Sequence, residues 1–101
     1  AGIQWVTTSA PLYGAVNGYV KIPEGHPWHG RDYDEIDVAV HGGLTYGNRS
    51  GWIGFDTLHG GDNWPGSPRI LPLSRFDIEW TPELVAVETR RLAHAVAEAA
   101  T

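Results

Sequence analysis

The feature that most constrains this chain is a change of hydrophobic period at Thr81-Pro82. Before it, apolar residues recur at every second position or in short runs between glycines and prolines, as half-buried strands require. After it, Leu84, Val85, Leu92, Ala95, Val96 and Ala99 fall within a ~120° arc at about 100° per residue, the stripe of an amphipathic helix. Thr81 supplies an N-cap, Pro82 suits the first helical position, and Glu83 complements the positive end of the helix dipole. The spacing predicts a helix from about Pro82 to Ala99. Strands followed by one helix point to an α+β fold, a small antiparallel β-sheet of roughly four to six short strands with the C-terminal α-helix packed on a face.

The clearest strand begins at Ile36, where Ile36, Val38 and Val40 alternate with Asp37, Ala39 and His41. Residues 47–51 read as a turn and 52–56 as the returning strand. With the turn centred near Arg49, this hairpin sets His41 beside Asp56 and Thr57, on the face that Trp52 shares. A bulge at Gly42-Gly43 would shift that parity by one. Upstream, residues 4–8 and 12–16 are strand candidates, Asn17-Gly18 reads as a type I′ hairpin turn, and residues 19–22 form the next strand. Residues 23–33 and 60–68 are loops, the first long enough in a small domain to suggest function. Residues 69–71 and 76–80 read as short extended pieces.

Composition narrows the classes. The chain's 101 residues make a single domain, 1–101. No cysteine is present, which excludes disulfides and thiolate chemistry. A net charge of -5, with the seven basic residues scattered, argues against binding a nucleic-acid backbone. No apolar run approaches the ~20 residues of a membrane span, and no signal-peptide layout opens the chain. The expectation is a soluble cytoplasmic protein with a small-molecule ligand, no nucleic-acid or membrane partner, and homo-oligomerisation left open.

The densest cluster of ligand-type side chains is Asp56-x-x-His59-x-x-Asp62. Together with His41 it offers a mixed nitrogen and oxygen set, and His41, Asp56 and His59 could hold a divalent zinc, iron or manganese ion. The same residues could act without metal, a carboxylate orienting an imidazole as general base. The plain alternative is that Asp56 caps a turn and His59 bonds a carbonyl. Glu88 lies within the apolar stripe, so it either finds donors and is structural, or has its pKa raised and suits a general acid. His26-Pro27-Trp28-His29 reads as a loop pinned by Trp28, or as a lid over the central site.

Five tryptophans and four tyrosines in an acidic, glycine-rich domain also fit a carbohydrate-binding surface. Trp28, Trp52 and Trp64 would form its platform, with His26 and Tyr46 as further ligand contacts; the alternative is that the tryptophans fill the core. Serine nucleophile chemistry is unsupported, since no Gly-x-Ser-x-Gly elbow occurs.

The motifs also carry a resemblance. Gly18-Tyr19-Val20, Pro23, His26-Pro27, Gly30, Tyr33 and Ile36 lead into His41-Gly42-Gly43-Leu44-Thr45, and then Gly54-Phe55-Asp56-x-x-His59-x-Gly61-Asp62. Over residues 17–64, and more loosely over the helix with Glu88, the chain resembles a family of small uncharacterised proteins from bacteria and phages. The resemblance groups these residues without implying an activity. Its phage association adds the reading of an accessory protein that binds a host factor or signalling molecule. Three functional expectations therefore stand together: a hydrolase-type or lyase-type enzyme using His41, Asp56, His59, Asp62 and Glu88; a carbohydrate or small-ligand module; and a partner-binding accessory protein.

Overall fold

A computed structural model describes residues 2–9, 15–57, 62–64 and 78–100. In chain order these form β1 (Trp5–Ser9), β2 (Val16–Lys21), a 3-10 turn (Tyr33–Glu35), β3 (Tyr46–Gly47), β4 (Trp52–Phe55), β5 (Asp62–Asn63), β6 (Ile78–Glu79) and α1 (Pro82–Ala99). Four strands make one antiparallel sheet in the order β1-β2-β4-β3, and β5 pairs with β6 in a separate parallel ribbon. The helix packs on β1 and β2, so the α+β arrangement expected from the period change is the one found. No helix among the described residues is long and apolar enough to cross a membrane.

The helix begins where its cap chemistry dictates. Thr81 Oγ1 accepts the Leu84 N–H at 3.2 Å, and Pro82 occupies the first turn. Its buried face is Val85, Thr89, Leu92, Ala93 and Val96, rotated from the stripe read in the sequence; Leu84 is 44% exposed. Thr89 stands at the centre of that face because its hydroxyl donates back to Val85 O at 2.7 Å, which satisfies the polar atom without a partner outside the helix.

Asn17-Gly18 is not a turn. β2 runs straight through it, with Asn17 opposite Thr8 and Gly18 opposite Thr7, and the β1–β2 connection lies outside the described residues. Glycine is needed here for space and not for positive φ. A Cβ on Gly18 would collide with Thr89 Oγ1 and come within 2.7 Å of the Phe55 ring. The bare backbone lets α1 sit close on the sheet.

The segment at residues 36–40 keeps its alternation, with Ile36 buried and Val38 and Val40 packed on the core, yet it joins no sheet ladder. The hairpin lies two residues from the expected register: Tyr46 faces Gly54, where a turn centred near Arg49 would set it opposite Trp52, and Gly47 faces Ile53. Asn48 sets the turn, its Oδ1 accepting the N–H groups of Ser50 and Trp52 at 3.0 and 3.1 Å. His41 therefore lies upstream of the β3–β4 ladder and is not a cross-strand neighbour of Asp56 in it. Of the extended pieces expected near the helix, 78–79 forms β6 and 69–71 lies outside the described residues.

Gly18→Ala should lower unfolding stability by about 1–3 kcal/mol, the usual cost of forcing extra volume into a packed contact. Urea denaturation measures it, and adding Thr89→Ala should restore part of the loss because one of the two colliding groups is gone.

Candidate functional site

On the helix side of the sheet, residues 40–43 turn back against α1. Gly43 N–H donates to Val40 O at 2.9 Å, and Gly42 and Gly43 take φ of +66° and +79°, a region that favours glycine. The expected bulge is thus a turn, and it aims the His41 N–H at the helix. That N–H donates to Glu88 Oε2 at 2.7 Å. Arg91 grips the same carboxylate through Nε to Oε1 and Nη2 to Oε2, both at 2.8 Å, while Nη2 also donates to Ala39 O at 3.2 Å. A planar guanidinium matches a carboxylate in this paired geometry.

Glu88 is therefore the bonded acceptor of the two alternatives. Its pKa is lowered from the ordinary 4.5, first by the bond from Arg91, then with help from the His41 N–H, and against the opposing effect of partial burial. Arg91 is pushed up by the same pairing. A carboxylate held anionic in this way is poorly suited to donate a proton. Its evident work is to staple the turn to the helix.

The half-buried His41 ring packs edge-on against Trp80, with centroids 4.8 Å apart, and Trp80 stacks on Trp64 at 6.5 Å. Trp64 is buried, its Nε1 donating to Thr57 O and Oγ1 at 3.1 Å each. Asp56 is half-buried one residue beyond β4. Asp62 opens β5, its backbone paired with Ile78. His59 lies outside the described residues, and with it one member of the expected metal set His41, Asp56 and His59. Among the described residues, three ligand-type side chains come within 4.8 Å of one another only at Asp32, Asp34 and Glu35. All three are exposed, and none belongs to that set.

The 23–31 loop docks on the fold. His26 is buried; its Nδ1 accepts the Trp28 N–H at 2.9 Å and its Nε2 lies 2.7 Å from Val96 O. Because Nδ1 accepts, the proton sits on Nε2, which donates to one of the last four helix carbonyls. Trp28 packs against the core. Of these two residues, both expected as ligand contacts or a lid, His26 fastens the loop to the helix C-terminus, and the Trp28 ring lies beside it with centroids 5.3 Å apart.

Of the tryptophans expected to form one platform, Trp64 is buried in the core and Trp28 is half-buried against it. Trp52 stands instead on the sheet face away from α1, with a different set of aromatics. By the β2–β4 register, Gly18 and Phe55 point toward the helix, whereas Tyr19, Lys21, Trp52 and Gly54 point away. Tyr19 and Tyr46 meet edge to face with centroids 5.4 Å apart, beside Gly54, where a Cβ would come within 2.7 Å of the Tyr19 ring. Asn48 Nδ2 donates to Tyr46 Oη at 3.0 Å, and Lys21 Nζ lies 5.8 Å from the Trp52 ring centroid. Val6, Thr8, Tyr19, Tyr46, Asn48 and Trp52 line an open groove of about 390 Å³.

Of the expected ligand residues, this groove brings together Tyr46 and Trp52. Sequence reasoning missed Val6, Thr8, Tyr19 and Asn48. The available signal was a glycine inside a strand, Gly54, which marks a place where a neighbouring ring lies on bare backbone. No protein-family model, curated protein or solved structure matches this chain.

Two outcomes follow from the helix-side contacts. A carboxyl with a lowered folded-state pKa contributes stability above its unfolded value and loses it as pH falls through the folded one. Wild-type urea midpoints should accordingly drop more steeply below pH 4.5 than those of Glu88→Gln. His26→Ala should cost about 1–3 kcal/mol in the same assay at neutral pH, because it strands a helix carbonyl and the Trp28 N–H.

Proposed function

We propose that this domain is a small-ligand binding module, and that its site is the aromatic groove on the outer sheet face, suited to the ring face of a carbohydrate or a similar polyol. The observation that carries this reading is the grouping of Trp52, Tyr46 and Tyr19 around one open groove, with Asn48 and Thr8 at its sides. Flat, partly exposed rings offer the apolar CH face of a sugar a stacking surface. Hydroxyl and amide groups beside them can pair with its equatorial hydroxyls. The exposed Tyr46 hydroxyl, the remaining Asn48 N–H and the Lys21 ammonium are donors of the kind such a ligand needs.

The enzyme reading through His41, Asp56, His59 and Asp62 ranks second. Its intended acid, Glu88, is committed to Arg91 and the His41 backbone.

Titrating intrinsic tryptophan fluorescence with a panel of neutral mono- and oligosaccharides should give a saturable change for at least one member. Trp52→Ala should weaken that binding at least about tenfold while leaving the circular dichroism spectrum unchanged. A panel without any saturable response, or a response indifferent to Trp52→Ala, would sink the proposal.

A further inference from the structure

Among the described residues, β1 is an edge strand whose outer side carries none of the usual protections. It runs Trp-Val-Thr-Thr-Ser, all five residues are exposed, and it holds no proline or charge. The first charged side chain in the chain is Lys21. Edge strands of folded proteins are ordinarily blunted by lysine, proline, a bulge or a covering segment, because an open row of N–H and C=O groups pairs with whatever strand it meets. The opposite edge, β3, is only two residues long.

The direction of the free groups follows from one bond. Lys21 N–H donates to Gln4 O at 2.9 Å, so Gln4 and Lys21 form a hydrogen-bonded pair in the β1–β2 ladder. Such pairs alternate, which turns the N–H and C=O of Val6 and Thr8 toward β2 and those of Trp5, Thr7 and Ser9 toward the open edge. Among the described residues, no hydrogen bond reaches that outward row.

We infer that this edge pairs with β1 of a second copy of the chain, antiparallel about a two-fold axis at Thr7. The outward row is its own complement. Thr7 faces the partner's Thr7, and Trp5 faces the partner's Ser9, each pair exchanging its backbone bonds. No like charges are opposed, since neither strand has any. The axis stands perpendicular to the sheet, so the two sheets become one of eight strands with both helices on one face. The exposed side chains of Trp5 and Val6, at 38% and 42%, are partly covered across the join. The two aromatic grooves then lie on one continuous surface, each reached on its own side by Val6. This inference stands independently of what the grooves bind.

Edge pairing of one five-residue strand buries less than a permanent interface does, so the dimer should be in visible equilibrium with monomer. Sedimentation velocity across roughly 5 to 500 µM should show the apparent mass rising toward twice the monomer's. Thr7→Pro removes an N–H that closes no bond to β2, so the variant should retain its circular dichroism spectrum and remain monomeric throughout. Because the natural chain has no cysteine, Thr7→Cys adds a second readout that needs no proline. With a short bifunctional thiol reagent it should give a covalent dimer in high yield, whereas Arg49→Cys, on the exposed hairpin loop, should not. A wild-type chain monomeric at every concentration, a dimer that survives folded Thr7→Pro, or equal cross-linking of the two cysteine variants would each overturn the inference.

Discussion

The contact between Thr89 and Gly18 sets the geometry on which the rest of this fold depends. A helix over a sheet ordinarily stands off by the depth of two side-chain layers. Here one layer is missing at Gly18, and the buried threonine fills the gap with its hydroxyl already bonded inside the helix. Close approach at that point fixes both the rotation of α1 and its height above the sheet. Val85, Leu92, Ala93 and Val96 then reach the core, and Leu84 turns outward.

With α1 held in that rotation, its two flanks become anchor points for chain that has no ladder of its own. Near the middle of the helix, Glu88 and Arg91 collect the backbone of Ala39 and His41. Near its end, the carbonyl of Val96, in the last helical turn, takes up His26. Each device satisfies a polar group that the helix or the turn would leave stranded, and each uses a residue that a motif search assigns to chemistry. A histidine or glutamate with several short backbone partners is first a fastener, and its reactivity is restrained to the degree that those partners hold it.

Among the described residues no helix covers the opposite face of the sheet, and its side chains differ accordingly. Gly54 gives Tyr19 a flat bed, Tyr46 stands against it, and Trp52 lies under the Lys21 ammonium. In the proposed reading, rings already packed on bare backbone have less freedom to lose, which lowers the entropic cost of binding. Partly exposed rings gathered around one open groove are the reason the proposed binding site lies on this outer face and not on the histidine-rich side.

What the sequence determined by itself were the features whose causes are local. Thr81-Pro82-Glu83 placed the helix start, the 3.6-residue spacing carried it to Ala99, and Asn48 with its neighbouring glycines placed the hairpin turn. Tertiary structure alone decided which glycines serve turns and which serve close packing, so Gly18 lies within a strand although Asn17-Gly18 has the composition of a hairpin turn. It also decided that the alternating residues 36–40 lie on the core without joining the sheet, that Trp64 is interior while Trp52 is not, and that Glu88 is a bonded anion. Period and spacing tell which residues share a face. Which face is covered, and by what, depends on contacts far apart in the chain, such as His26 with Val96 and His41 with Glu88, and no local pattern encodes their distance.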